Sequence, residues 1–142
     1  MSDTNLRCAV IGVGRMGRHH ARVYAQMDGA DLVGVVDHDP HRAADIVEEW
    51  GGQAFGAIDD LLAAGVDAVT IATPTIHHRA AAEQLLAAGV ACLIEKPLAP
   101  TAEDAAAIAS AAKAAGVALQ VGHVVRYDPV MQAIKSLGDL HP

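Results

Sequence analysis

Residues 6–17 have the sequence LRCAVIGVGRMG, in which an apolar run of strand length passes directly into a G-x-G-x-x-G pattern. This glycine spacing between a strand and a helix has a specific physical purpose. Gly12 permits a tight turn, Gly14 lets the backbone approach a pyrophosphate, and Gly17 lets the helix pack closely on the strand. The free N–H groups at the start of the helix then face the anion. These residues predict a nucleotide-phosphate site at the first strand-to-helix turn.

The rest of the chain repeats this alternation of short apolar runs with longer helical segments. Such alternation is typical of an α/β fold with a doubly wound, mostly parallel sheet that has helices on both faces. We predict strands at residues 6–11, 32–36, 68–71, 91–94 and 117–121, and a weaker sixth strand at 53–55. Helices are predicted at residues 15–26, 40–50, 58–63, 77–88, 102–115 and 130–137, the fifth with a capping box at Thr101 and Asp104.

The composition fits one domain and argues against several classes of protein. The 142 residues carry 10 Lys+Arg against 17 Asp+Glu, so there is no basic stripe for nucleic acid. No apolar run approaches the ~20 residues of a membrane span, and no signal-like segment begins the chain. Cys8 and Cys92 lie in separate apolar runs. They are predicted to be buried thiols of a cytoplasmic protein rather than a disulfide or a metal site.

A second motif strengthens the nucleotide interpretation. The predicted second strand ends in Asp37, 25 residues after Gly12, near where an acidic residue binds the adenosine ribose hydroxyls. A carboxylate there repels a 2′-phosphate, which favours NAD over NADP. His38, His41 and Arg42 lie nearby and soften this preference. The alternative interpretation is a glycine turn with an ordinary aspartate at a strand end.

Two further predicted strands end in polar or constrained residues. The strand at 68–71 leads into Thr73-Pro74-Thr75-Ile76-His77-His78, and the strand at 91–94 leads into Glu95-Lys96-Pro97. The carboxyl ends of parallel strands meet at one edge of the sheet, where open α/β sheets bind ligands. The sequence therefore predicts that the glycine loop and both of these motifs share one edge.

Together these motifs resemble the signature of the glucose-fructose oxidoreductase, inositol dehydrogenase and rhizopine-catabolism (Gfo/Idh/MocA) family. The resemblance covers essentially the whole chain and includes Gly17-Arg18-His19-His20-Ala21 after the glycine loop. It implies a dinucleotide-binding Rossmann domain in residues 1–122 and, in residues 123–142, the start of a connection to a C-terminal substrate domain that this chain lacks. The implied activity is NAD(P)-dependent oxidoreduction of sugars, inositols or sugar nucleotides.

The resemblance also implies roles for single residues. Lys96 is the expected catalytic residue near nicotinamide and substrate, and the family often has a cis Lys-Pro bond here. An ammonium there can donate to the substrate oxygen that loses or gains its proton. The alternative for Lys96 is a solvated lysine at a strand end. The motifs and the resemblance together give as cofactor-binding residues Gly12, Gly14, Arg15, Met16, Gly17, Asp37, Thr73, Pro74, His78, Glu95, Lys96 and Pro97.

The segment from Val121 to Pro129 is also similar to family sequence. It is nearest to the Gly-His-Val-x-Arg-Phe-x-Pro version found in dehydrogenases of nucleotide-linked amino sugars. His123 and Arg126 are then expected to bind substrate or border the nicotinamide, with a structural strand-end histidine as the alternative for His123. Val125 stands where those enzymes often have an acidic residue.

The remaining histidines do not predict a metal site. His19 and His20, like His77 and His78, are adjacent in sequence, so on a helix they point ~100° apart. We interpret them as surface or helix-start residues.

Members of the resembled family are much longer than this chain, and two interpretations follow. The chain is either the cofactor half of a longer dehydrogenase, inactive alone, or a free-standing NAD-binding sensor without catalysis. We favour the first. His141 falls too early to match the catalytic histidine of the family's second domain. Expected partners are a polyol, sugar or sugar nucleotide, without nucleic acid or membrane, and oligomers are expected only with the C-terminal domain.

Overall fold

The computed structural model describes residues 5–137, in which strands and helices alternate. The strands are β1 (Leu6–Ile11), β2 (Ala30–Val36), β3 (Gln53–Phe55), β4 (Ala68–Ile71), β5 (Ala91–Ile94) and β6 (Leu119–Val121). The helices are α1 (Gly17–Gln26), α2 (Pro40–Trp50), α3 (Ile58–Ala64), α4 (His78–Ala87), α5 (Ala102–Ala115) and α6 (Pro129–Ser136). Short 3-10 turns lie at Thr75–His77 and Val124–Tyr127.

The six strands form one sheet in the order β3-β2-β1-β4-β5-β6. All pairings between these strands are parallel, which confirms the predicted doubly wound sheet. The chain builds outward from β1 to β3 and then crosses to β4, on the other side of β1. Connections therefore leave β1 and β4 in opposite directions at their carboxyl ends. This switch point opens the crevice in which such sheets bind ligands.

The core lies on both faces of the sheet because successive side chains of a strand point to opposite faces. On β1, Ile11 belongs to a buried cluster with Leu85 of α4 and Ile108 of α5. Val10, its neighbour, belongs to a second cluster with Ile46 of α2. Burial on both faces explains why the central strands are continuously apolar.

Element ends differ from the prediction by one or two residues, and specific hydrogen bonds explain some of the differences. The predicted strand at 117–121 begins only at Leu119, because the N–H of Val117 donates to Ala112 at the end of α5. The predicted helix at 77–88 begins at His78, after a separate 3-10 turn. The predicted helix at 130–137 is observed at Pro129–Ser136, and Gly138, the residue after its predicted end, lies outside the described residues.

The cap of α5 is confirmed in part. The hydroxyl of Thr101 accepts from the N–H of Asp104 at 3.1 Å, as an N-cap should. In a full capping box, the Asp104 carboxylate would accept from the backbone N–H of Thr101. Here it accepts instead from the Thr101 hydroxyl and, at 2.9 Å, from Arg79 Nη1. The Arg79 guanidinium holds the pKa of Asp104 below its usual range. This ion pair joins α4 to α5.

Candidate functional site

The glycine loop has the shape that its sequence predicts. Gly12 adopts a φ of 82°, and a Cβ there would lie 2.8 Å from the backbone nitrogen of Thr73. A Cβ at Gly17 would overlap the carbonyl oxygen of Gly12, so a side chain cannot be placed there without moving the loop. By contrast, a Cβ at Gly14 would meet nothing within 4 Å. Gly12 and Gly17 are thus required by packing, whereas Gly14 faces open space.

That open space belongs to a cleft of about 790 Å³ at the carboxyl ends of β1, β2 and β4. It coincides with the switch point of the sheet. Gly17 lies behind the cleft, where it packs α1 against the loop. The predicted cofactor residues that line the cleft are Gly12, Gly14, Arg15, Met16, Asp37, Thr73 and Pro74.

Asp37 is buried and hydrogen-bonded, with only 2% of its side chain exposed. Its Oδ2 accepts from the N–H of Val13 at 2.8 Å, and its Oδ1 accepts from the N–H of Asp39 at 2.9 Å. Arg42 Nη1 lies 3.2 Å from Oδ1. The carboxylate therefore fixes the end of β2 to the glycine loop, in addition to bordering the cleft.

Thr73 supplies a polar group that lacks a protein partner. Within residues 5–137, its buried Oγ1 has no hydrogen-bond partner. A buried polar atom left unpaired costs about 1–3 kcal/mol, so such an atom in a cleft wall fits a site that a polar ligand or a water completes. The open backbone at Gly14 and this hydroxyl are both available to a ligand in the cleft.

His78 lies beneath the cleft rather than on its wall. The residue is 1% exposed, with Nε2 2.9 Å from the Thr73 carbonyl oxygen and Nδ1 3.1 Å from the Leu98 carbonyl oxygen. A neutral imidazole has a single N–H and donates to one of these two carbonyl oxygens at a time. The ring joins the loop after β4 to the loop after β5.

Glu95 is a buried carboxylate at the end of β5. Its Oε1 lies 2.8 Å from His20 Nε2 on α1, and its Oε2 accepts from the N–H of Lys96 at 3.2 Å. Gly122 packs against the Glu95 carboxylate, because a Cβ at this position would lie only 3.3 Å from it. Glu95 thus connects the helix of the glycine loop to the turn that carries Lys96.

His20 was predicted as a surface or helix-start residue; it lies in the first turn of α1, but its contact with Glu95 was not predicted. The available signal was its position beside Ala21, the fully buried residue of α1. That signal is weak, because Arg22 is also adjacent to Ala21 and is exposed.

Lys96 and Pro97 are exposed at the end of β5, next to the cleft strands, and the bond between them is cis, as the resemblance implied. Among the described residues, the Lys96 ammonium has no salt-bridge partner. His123 and Arg126 are exposed just beyond β6, the neighbour of β5. These three predicted site residues therefore lie at the same sheet edge as the glycine loop.

The family model for an oxidoreductase family with an NAD-binding Rossmann fold, named GFO_IDH_MocA, matches residues 6–123. The chain belongs to this family. It forms the NAD-binding Rossmann domain of a Gfo/Idh/MocA protein.

Individual relatives of this Gfo/Idh/MocA chain agree with the family match. UDP-N-acetylglucosamine 3-dehydrogenase of Acidithiobacillus ferrooxidans is 43% identical over 94% of this chain and 42% of its own length. The scyllo-inositol 2-dehydrogenase (NAD(+)) of Bacillus subtilis is 35% identical over 89% of this chain and 38% of its own. A structure of the WlbA dehydrogenase of Bordetella pertussis with NADH and UDP-GlcNAcA has a TM-score of 0.88 and 32% identity, over 93% of this chain and 41% of that one. The chain thus spans about two fifths of the relatives it matches.

The described part of this Gfo/Idh/MocA domain has neither a cluster of metal ligands nor a membrane-spanning helix. Within residues 5–137, no group of three or more His, Cys, Asp or Glu is arranged to hold a metal ion. No helix in the same range is long and apolar enough to cross a membrane. Cys8 and Cys92 are buried free thiols, as predicted, and burial raises the pKa of Cys92 to about 12.

Proposed function

We propose that this chain is the cofactor-binding domain of a dehydrogenase that transfers a hydride between NAD and a CH–OH group of a polyol, sugar or sugar nucleotide. The observation that carries the proposal is the cleft at the switch point of the sheet. There the open backbone of Gly14, the carboxylate of Asp37 and the unpaired hydroxyl of Thr73 converge. A glycine loop, an acidic residue and an open crevice are the three elements of dinucleotide binding in such folds.

Each part of the cleft then has a role toward NAD. The glycine loop from Gly12 to Gly17, with Arg15 and Met16 between, holds the pyrophosphate against the N-terminus of α1. Asp37 accepts hydrogen bonds from the adenosine ribose, and Thr73 and Pro74 form the opposite wall. NAD supplies the hydride acceptor or donor. His78 acts from beneath, since it fixes the carbonyl oxygen of Thr73.

In this proposal, the Lys96 side chain transfers the proton. Oxidation of a CH–OH group releases a hydride from carbon and a proton from oxygen, and reduction takes up both. In the oxidative direction the neutral Lys96 amine accepts the proton of the hydroxyl and becomes an ammonium, and in the reductive direction the Lys96 ammonium donates a proton to the carbonyl oxygen. Glu95 holds the turn by accepting from the Lys96 N–H, and His20 holds Glu95. His123 and Arg126 are placed to bind substrate.

Nucleotide-linked amino sugars are the substrate class that we favour. The UDP-N-acetylglucosamine 3-dehydrogenase has 43% identity to this chain, and the segment around His123 and Arg126 resembles the version found in such enzymes. Polyols such as inositols are the second candidate, because a scyllo-inositol dehydrogenase is 35% identical. The buried reduced thiols favour a cytoplasmic protein.

The test has two parts, binding and turnover. Isothermal titration of the 142-residue chain with NAD should give one saturable site per chain. The complete gene product should reduce NAD when UDP-N-acetylglucosamine or an inositol is the substrate. The absorbance of NADH measures this reaction. Absence of NAD binding would overturn the proposal. Binding without any turnover in the complete product would instead favour the sensor module.

A further inference from the structure

Glu95 has a basic residue on either side, and only one of the two side chains is paired with it. The carboxylate belongs to a residue that is 7% exposed, and its Oε1 lies 2.8 Å from Nε2 of His20. Within residues 5–137, the ammonium of the next residue, Lys96, forms no salt bridge. We propose that His20 is a positioning residue that occupies Glu95 and so keeps the Lys96 side chain available to the substrate oxygen. This inference rests on the proposed function.

Both oxygens of the Glu95 carboxylate are occupied in the structure. An ionised carboxylate only accepts hydrogen bonds, so His20 Nε2 carries the proton of the bond to Oε1. His20 lies in the first turn of α1, and the helix therefore fixes where its ring begins. The second oxygen, Oε2, accepts from the backbone N–H of Lys96 at 3.2 Å. The carboxylate has no unpaired oxygen that would attract a further cation.

Loss of His20 would leave Oε1 without a partner. Gly122 packs against the carboxylate and has no side chain that could donate to it. In the described part of the chain, Glu95 forms no ion pair other than the one with His20. A buried carboxylate whose partner is removed carries an uncompensated charge, which favours pairing with any cation in reach. The Lys96 ammonium is the cation that follows it directly in the chain.

The Lys96 side chain is able to make this alternative contact. Its residue is exposed, and its flexible four-carbon stem can turn about its own bonds. Its backbone N–H already lies at Glu95 Oε2, so the stem starts beside the carboxylate. An opposite charge at this distance favours the ammonium form of lysine. A lysine held in this way would neither reach the substrate oxygen nor be ready to accept its proton.

Turnover of the complete gene product tests the role of His20 through two amide variants. Glutamine places its amide nitrogen near the position of histidine Nε2, and asparagine places it near Nδ1, so only His20→Gln can donate to Glu95 Oε1. We expect His20→Ala and His20→Asn to lower kcat about tenfold or more, with the KM for NAD changed by less than about threefold. His20→Gln should keep kcat within about threefold of the unmutated enzyme. Equal kcat values in His20→Gln and His20→Asn would overturn the proposal.

A double variant separates an effect on Lys96 from an effect on the fold. Glu95→Gln removes the charge that would hold the Lys96 ammonium. In Glu95→Gln, the further change His20→Ala should therefore lower kcat by less than about threefold, whereas it costs about tenfold when Glu95 is present. Equal losses in the two backgrounds would mean that His20 does not act through the charge of Glu95.

Two control variants account for loss of stability and for changes on the same helix. Arg79→Ala breaks the ion pair between α4 and α5 and does not touch Glu95. His19→Ala changes an exposed residue next to His20. Both should keep kcat within about threefold of the unmutated value. A tenfold fall in either control would show that turnover responds to general disturbance, and the assignment of His20 would be wrong.

The 142-residue chain offers a second measurement that needs no turnover. It contains three lysines, Lys96, Lys113 and Lys135, so the NMR signals of isotope-labelled lysine side chains can be followed separately as the pH is raised. In His20→Ala, the Lys96 signal should titrate at a higher pH than in the unmutated chain, and the other two should not change. An unchanged Lys96 signal would overturn the role of His20 while the proposed function stands. A shifted signal in a protein whose complete gene product has no turnover would overturn the proposed function, and the role of His20 in the reaction with it.

Discussion

At the scale of single residues, the Asp37 carboxylate has two roles. It fixes the glycine loop through the Val13 N–H and faces the ribose in the proposed complex. A ligand at a hundredfold excess over Kd stabilises the fold by about 2.7 kcal/mol. Because the Asp37 carboxylate repels a 2′-phosphate, NAD should raise the melting temperature more than NADP does at the same concentration. Asp37→Ala should reduce the difference between the melting-temperature shifts that NAD and NADP produce. Equal shifts with both dinucleotides before mutation would contradict the ribose role, as measured by differential scanning fluorimetry.

His20 allows a sharper residue-scale comparison because its neighbour His19 is exposed. His20→Ala leaves the buried Glu95 carboxylate without its 2.8 Å partner. We expect the free energy of unfolding to fall by about 1–3 kcal/mol. His19→Ala should change it by less than about 0.5 kcal/mol. Urea unfolding of the two variants measures both changes. Equal changes would show that the His20–Glu95 contact contributes nothing to the free energy of unfolding.

Cys92 predicts how stability depends on alkaline pH. Burial raises the pKa of this thiol to about 12 from an ordinary value of 9.0, so the folded chain holds the proton more tightly than the unfolded chain does. The stabilisation is complete below pH 9.0 and is lost as the pH rises toward about 12. The half-buried phenol of Tyr24, whose pKa is also raised by burial, acts in the same direction.

Cys92→Val separates the two groups. Urea unfolding across this pH range should show a shallower loss of stability in the variant than in the unmutated chain. Identical slopes would mean that the Cys92 thiol ionises as readily in the folded chain as in the unfolded one.

At the scale of the elements, the glycine loop predicts opposite outcomes for two neighbouring substitutions. Gly17→Ala places a Cβ on the Gly12 carbonyl, so the loop and α1 must separate, and we expect a loss of about 3 kcal/mol or more in stability. Gly14→Ala adds a Cβ to open space at an ordinary φ and should leave stability within about 0.5 kcal/mol. The same Cβ projects into the proposed pyrophosphate site and should weaken NAD about tenfold or more.

Chemical unfolding and NAD titration together test this pair. NAD affinity unchanged by Gly14→Ala would show that the dinucleotide does not approach the loop there. A Gly17→Ala variant as stable as the unmutated chain would contradict the packing account.

The elements themselves were predictable because apolar periodicity and the glycine pattern are local signals. Contacts between distant elements were not. His20 and Glu95 are 75 residues apart, and only the strand order places β5 near α1. The enclosure of Asp37 depends on the Arg42 side chain, which sequence placed nearby without specifying its direction. The start of β6 depended on one hydrogen bond from Val117, which the apolar run does not encode.

At the scale of the whole molecule, the described chain ends in an apolar surface. Tyr127, Val130 and Leu137 are each at least 65% exposed along the 3-10 turn and α6. Where exposed apolar side chains of this kind lie side by side, they often mark an interface. The prediction that residues 123–142 connect to a second domain stays a prediction, and residues 138–142 with His141 lie outside the described part.

The measurement that tests the account most directly is the effect of Lys96→Ala on turnover beside its effect on cofactor binding. Most cofactor contacts in the proposed complex lie at the glycine loop and Asp37, so NAD affinity of the 142-residue chain should stay within about tenfold. In the complete gene product, kcat should fall about 10² to 10⁴, the usual scale for a positioned acid or base. Lys113→Ala, a change on α5, is the control and should alter neither value. Turnover of Lys96→Ala at the unmutated rate, or no turnover in the unmutated product, would contradict the account.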